Sequence, residues 1–109
     1  MFTRKLSFTE PMYPKARAMG ITVFPYKEFD SKGNTTYYEN KEGKFDRYEY
    51  DSNGNEIFYT NTDDYWYRKE YDSNNKKIYY LNSDGYWEKY YYDSNGNQTH
   101  YENFDGCKN

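Results

Sequence analysis

Few residues in this chain have the chemistry of a catalyst. His100 is the sole histidine and Cys107 the sole cysteine. Counted in steps of 21 residues, His100 shares its position with Tyr37, Phe58 and Tyr79, so it stands where a sheet aromatic stands elsewhere. A general base needs an oriented partner and a reacting group within reach, and the sequence offers His100 neither. Cys107 has no second thiol, which removes an intrachain disulfide and a thiolate ligand set together. Carboxylates are plentiful, but they recur at the same step, whereas an active site is a departure from such a pattern. The sequence therefore predicts no catalysis, no cofactor and no metal.

Two loops carry enough oxygen to raise the question of calcium: Asp51, Asn53 and Asn55 with Glu56, and Asp93, Asn95 and Asn97. Alternate Asp and Asn side chains open an EF-hand loop, but the glycine at its sixth position and the bidentate glutamate at its twelfth are missing. A glycine at the fourth position is instead what a hairpin turn requires, so both loops are expected to be plain turns. No glycine-rich loop leads into a helix to cradle phosphate. Trp66 and Trp87 each follow a turn and a tyrosine, Tyr65 or Tyr86. Large rings of this kind dominate interface energetics, and they also serve as core in a thin sheet.

The elements that position these residues come from a repeat. FDSKGN, YDSNGN, YDSNNK and YDSNGN begin at Phe29, Tyr50, Tyr71 and Tyr92, 21 residues apart each time. Asp30, Asp51, Asp72 and Asp93 form one column; Tyr38, Tyr59, Tyr80 and Tyr101 a second; Asn40, Asn61, Asn82 and Asn103 a third; Phe24, Phe45, Trp66 and Trp87 a fourth. Self-similarity of this length marks stacked units that bury their apolar faces on one another. Each unit holds two short strand-forming runs and two turn clusters. Asp51-Ser52-Asn53-Gly54 fits a type I turn closed by a left-handed glycine, and Asn82-Ser83-Asp84-Gly85 has the same chemistry. The expected fold is all-β: an antiparallel meander of about eight short strands from four 21-residue repeats over residues 25–109, preceded by an N-terminal cap segment, residues 1–24. Within that segment Lys15 to Met19 suits one helical turn ended by Gly20, and the segment as a whole is expected to cover the first sheet edge.

Alternation along the first strand of each unit places Tyr48 and Tyr50 opposite Arg47 and Glu49, and Tyr67 and Tyr71 opposite Trp66, Arg68 and Glu70. One face is then mainly aromatic and the other carries a Trp, basic, acidic order. The second strand has apolar groups at both parities, with Ile78 and Tyr80 on one side and Tyr79 on the other. That pattern favours a curled or partly closed sheet over a flat single layer.

Composition sets the scale of the core. A chain of 109 residues is one domain, and its folding hides only about two-thirds of the surface exposed in the unfolded chain. Rings supply most of the area to be buried, with 17 tyrosines, seven phenylalanines and two tryptophans. A mean hydropathy of -1.45 is that of disordered chains, but disordered chains are poor in aromatics. No run approaches a membrane span, and MFTRKLSFTEPMYPK lacks the apolar stretch of a secretory signal, so an intracellular, cytoplasmic location is expected. Arg4, Lys5, Lys15 and Arg17 against Glu10 make the first 24 residues basic, which leaves the rest more acidic than the total of -3. An acidic body suits a basic protein surface better than a phosphate backbone.

From Gly43 to Ile57 the string GKFDRYEYDSNGNEI resembles the YD repeat of the RHS family, through Gly43, Arg47, Tyr48, Tyr50, Asp51, Gly54, Asn55 and Ile57. That resemblance implies β-sheet units, which in the family build long shells around a toxin; four units are too few to enclose one. Trp87 with Tyr90-Tyr91-Tyr92 and Asn95-Gly96 is similar to the aromatic cell-wall-binding repeats of surface proteins, without their opening glycine-tryptophan pair. In type, the chain is similar to phage-encoded inhibitors of bacterial defence, including anti-CRISPR proteins, which act in the host cytoplasm. The function expected is a non-enzymatic protein-binding module, an inhibitor or adaptor acting through an acidic aromatic sheet surface. Glu49, Trp66, Arg68, Glu70, Trp87, Lys89 and Tyr91 are the residues expected to meet the partner, a protein with a basic, nucleic-acid-binding surface. Neither a membrane nor a small-molecule substrate is expected. Two alternatives are a carbohydrate-binding module with a tryptophan ladder and a platform for single-stranded nucleic acid, the latter opposed by the negative charge.

Overall fold

The structure, a computed structural model, describes residues 13–104. Its chain runs from a short helix, α1 (Lys15–Ala18), into eight strands: β1 (Tyr26–Phe29), β2 (Thr35–Glu39), β3 (Phe45–Tyr50), β4 (Glu56–Asn61), β5 (Trp66–Tyr71), β6 (Lys77–Asn82), β7 (Trp87–Tyr92) and β8 (Gln98–Asn103). The strands form one antiparallel sheet in sequence order, β1 through β8, with β1 and β8 as its edges. This is the all-β meander that the repeat predicts. The sheet is open, so the expectation of a partly closed one is corrected.

Turn chemistry makes the meander. In the loop after β3, Gly54 N–H donates to Asp51 O at 3.0 Å and Asp51 N–H to Asn55 O at 2.9 Å. The Asp51 carboxylate Oδ1 accepts the N–H groups of Asn53 and Asn55, each at 2.9 Å. Gly54 sits at φ 87°, in the left-handed region that closes a type I hairpin. Asn75 and Asp64 hold the same region at φ 65° and 64° without being glycine.

Pairing explains the residues that alternation alone misplaces. Glu49 pairs with Phe58 and Tyr50 with Glu56, so Ile57 is an extra residue in β4. The same slip passes over Ile78, between Glu70 with Tyr79 and Tyr71 with Lys77. It recurs at Thr36 and Thr99. A bulge of this kind puts two neighbouring side chains on one side of the strand. Ile78 accordingly lines a groove with Tyr79 and Lys89, not the opposite surface with Tyr80. The expected two-sided covering of β6 was a misread bulge.

The two faces differ. On the mixed face, cross-strand pairs run Glu28, Tyr37, Arg47, Thr60, Trp66, then Glu49, Phe58, Arg68, Leu81, Trp87, and then Glu70, Tyr79, Lys89, Glu102. The tyrosine face carries the rows Tyr48, Tyr59, Tyr67, Asn82 and Lys69, Tyr80, Glu88, Asn103. The buried side chains are Ala16, Tyr37, Glu39, Phe45, Arg47, Phe58 and Thr60, all from α1 and strands β2 to β4, with Gly43 buried in the turn between β2 and β3. The core is thus thin and lies under the N-terminal half of the mixed face.

Helix α1 is fastened to that half by one carboxylate. Glu39, fully buried, accepts the N–H groups of Ala16 at 2.7 Å and Arg17 at 3.2 Å, Arg17 Nε at 2.8 Å and the Tyr37 hydroxyl at 2.6 Å. These are first-turn N–H groups with no partner inside the helix, which an anion satisfies well. Burial alone would raise the Glu39 pKa, but these bonds outweigh it and hold the group below the ordinary carboxylate value. The part of the expected cap that falls on residues 1–12 lies outside the described residues.

Candidate binding face

Each of the seven residues expected to meet a partner belongs to the mixed face. Glu49, Arg68, Trp87 and Trp66 lie in its first two rows, Glu70 and Lys89 share the third, and Tyr91 pairs with His100 beyond them. Glu70, Lys89 and Tyr91 are exposed, and the other four are half-buried. Arg68 Nη1 donates to Glu70 Oε2 at 2.9 Å, and its guanidinium lies 5.5 Å from the Tyr79 ring centre. Lys89 Nζ lies 5.6 Å from the Trp87 ring. Trp66 stacks on Phe58 with ring centres 6.3 Å apart and planes 24° from parallel. Trp66 therefore has one ring face given to packing, while Trp87 has a cation beside it. Contacts of a cation with a ring hold long side chains in place at about 0.5–1 kcal/mol each where exposed.

Arg68, Glu70, Lys89 and Tyr91 come together in a groove of about 680 Å³ running across β5, β6 and β7, with Ile78 and Tyr79 as its floor. The sequence placed the charged residues on this face but missed the floor. Simple alternation puts Ile78 on the other side, because it does not register the bulge. A signal was present: Thr36, Ile57, Ile78 and Thr99 recur at the repeat step just before the column of Tyr37, Phe58, Tyr79 and His100.

His100 sits in that column as a ring among rings, its centroid 5.2 Å from that of Tyr91, with Nε2 3.5 Å from Glu102 Oε2. Cys107 lies outside the described residues. The oxygen-rich loops use their carboxylates internally. Asp51 Oδ2 takes Asn55 Nδ2 at 3.2 Å while Oδ1 is held by two N–H groups, and Asp93 Oδ1 takes the N–H groups of Asn95 and Asn97 at 2.9 Å. The bond from the Asn55 N–H does most to hold the Asp51 carboxyl below its usual pKa. Among the described residues no three of His, Cys, Asp and Glu group so as to hold a metal ion.

The tyrosine face is organised by its hydroxyls. Glu88 accepts from Tyr86 at 2.9 Å, Tyr90 at 2.6 Å and Tyr101 at 2.8 Å, while Tyr67 donates to Glu56 at 2.8 Å and Tyr59 to Asp46. Rings of Tyr48, Tyr59, Tyr67 and Tyr80 follow one another across four strands at centroid distances of 5.3, 5.1 and 5.7 Å. Burial, and then the bond to Glu56, push the Tyr67 hydroxyl well above the ordinary tyrosine value. Asp46, Glu56 and Glu88 thus bind tyrosine hydroxyls of their own face.

No protein-family model matches the chain, and no curated protein matches it at a significant level. Among the described residues, no helix is long and apolar enough to cross a membrane.

Proposed function

We propose that the chain is a non-enzymatic protein-binding module whose mixed face docks on a basic surface of its partner. One observation carries this reading: on a single-layer sheet, Glu70, Lys89 and Tyr91 stand exposed together on the rim of one groove, with Arg68 and Trp87 half-buried behind them. A half-buried ring and an anchored guanidinium surrounded by exposed charge is the layout of an interface hot spot, where few residues supply most of the binding energy. Within that reading we propose an inhibitory use, in which carboxylates and rings take the place of nucleic acid on the partner's basic groove. It is supported by the exposed Glu70 carboxylate and Tyr91 ring on the face, by the acidic balance of the chain and by the likeness in type to anti-CRISPR proteins.

Affinity purification from the native host supplies the partner, and binding kinetics then test the face. Trp66→Phe with Trp87→Phe is expected to cost about 2 kcal/mol or more of affinity while the melt stays cooperative, as truncation at hot spots does. Reversing Glu49 and Glu70 is expected to slow association and to change its salt dependence, because rim charges act on encounter. Unchanged rates in the tryptophan double variant and in both glutamate reversals would remove the mixed face from consideration.

A further inference from the structure

The groove across β5 to β7 has two counterparts on the same face, each displaced along the repeat. The first is built from Glu28, Asp30, Tyr37 and Arg47, and the second from Glu49, Asp51, Phe58 and Arg68; the third places Glu70, Asp72, Tyr79 and Lys89 at the same column positions. Only the first is occupied by a side chain from outside the strands among the described residues. Lys15 enters it from α1, with Nζ 2.7 Å from Glu28 Oε1 and 5.1 Å from the centre of the Tyr37 ring. Its main-chain N–H donates to the Tyr37 hydroxyl at 3.0 Å. The chain therefore displays, on itself, what this type of groove holds: a lysine ammonium between a carboxylate and a tyrosine ring.

The third groove keeps both halves of that arrangement. Glu28 accepts the Tyr26 hydroxyl on Oε2 at 2.7 Å and gives Oε1 to Lys15. Glu70 likewise accepts Arg68, which stands in the Tyr26 column, on Oε2. Its Oε1, the counterpart of the oxygen that holds Lys15, has no hydrogen-bond or ion-pair partner among the described residues. Tyr37 has two cations over its ring, Lys15 and Arg47, the latter at 4.9 Å. Tyr79 has Arg68, and Lys89 is turned to Trp87. A second cation beside Arg68 thus has its precedent in the first groove. The second groove differs, because Phe58 replaces tyrosine there and brings no hydroxyl.

We propose that the groove across β5 to β7 takes a lysine side chain of the protein partner, its ammonium on Glu70 Oε1 and its methylene stem along Tyr79. This rests on the protein-binding reading and names the chemistry the face selects. Leu81 stands where Glu39 fastens α1 in the first unit, so the third groove recognises the lysine alone and not the helix that carries Lys15.

The test is a titration of the isotope-labelled full chain with the tripeptide acetyl-Gly-Lys-Gly-amide, followed through backbone amide shifts. Saturable shifts are expected at Glu70, Tyr79 and Lys89, abolished when the peptide lysine is Nε-acetylated, and Glu70→Gln is expected to weaken binding about fivefold, the worth of one exposed ion pair. Lys15→Ala empties the first groove and is expected to add a second set of shifts at Glu28 and Tyr37. Shifts spread over the acidic turns without saturation, or shifts indifferent to Glu70→Gln or to lysine acetylation, would overturn the proposal. If the tripeptide fails while Tyr91→Ala still abolishes binding of the intact partner, the lysine site alone is wrong. If neither has an effect, the protein-binding reading fails with it.

Discussion

Gly54 and Asn75 occupy equivalent turn positions in successive repeats, at φ 87° and 65°. Glycine is at ease there, while asparagine bears a left-handed strain of roughly 1 kcal/mol. Replacing Asn75 by glycine should raise the melting temperature, and Gly54→Val should lower stability by about 1 kcal/mol or more, since a β-branched side chain is strained at positive φ. A Cβ at Gly54 has nothing within 4 Å, so the loss at that position would report backbone strain and not a clash. Gly96 is a poorer probe, because its Cβ would meet Lys76 Cε at 3.0 Å. Equal melts for Asn75→Gly, Gly54→Val and the parent would contradict the turn geometry. At this scale the sequence was most legible: the Asp, Asn and Gly of each turn are local chemistry, and local chemistry repeats with the letters. Asp64 is the exception, an aspartate in the column of Gly43 and Gly85 that nonetheless takes φ 64°.

Strands and helix raise a different question, which is what fixes them to one another. The strand order followed from the repeated turns, and the face carrying Glu49, Trp66, Arg68, Glu70, Trp87, Lys89 and Tyr91 from alternation in β3, β5 and β7. The partner strands β4, β6 and β8 did not, because each gains a residue at its bulge and the alternation changes hand. Nor could the sequence announce that Glu39, in a column otherwise held by Thr60, Leu81 and Glu102, is the anchor of α1, since a buried carboxylate looks like any other glutamate in print. Folding lowers its pKa, so its contribution is complete above the unfolded value near 4.5 and is lost as pH falls through the lower folded value. Glu39→Gln is expected to cost about 2 kcal/mol, the price of a buried acceptor of charged bonds, and to free the Ala16 and Arg17 amides for exchange. The acid side of its stability profile should be shallower than that of the parent. An identical acid limb in both proteins would mean that Glu39 is not an ionised anchor.

Over the whole molecule, the buried core and the proposed binding surface lie at opposite ends of one sheet. The buried residues gather in α1, β2 to β4 and the turn between β2 and β3, whereas β5 to β8 have none and end in an open edge. Amide hydrogen exchange is expected to be slowest in β3 and β4 and fastest in β8, because opening free energy follows the apolar area each element buries. Uniform protection from β2 to β8 would contradict a core confined to the N-terminal half. A second half held by backbone ladders and tyrosine pairs leaves the mixed face of β5 to β7 uncovered, and that is the surface assigned to the partner. The direct test sets the two faces against each other in binding to the purified partner, with Glu70→Lys, Trp87→Ala and Tyr91→Ala on the mixed face and Lys27→Glu and Tyr38→Ala on the tyrosine face. The account predicts that the first three lose affinity at least tenfold, a difference of about 1.4 kcal/mol or more, while the last two bind as the parent does and all five keep a cooperative melt. Full affinity in the mixed-face variants, with loss in the tyrosine-face pair, would place the interface on the opposite side of the sheet.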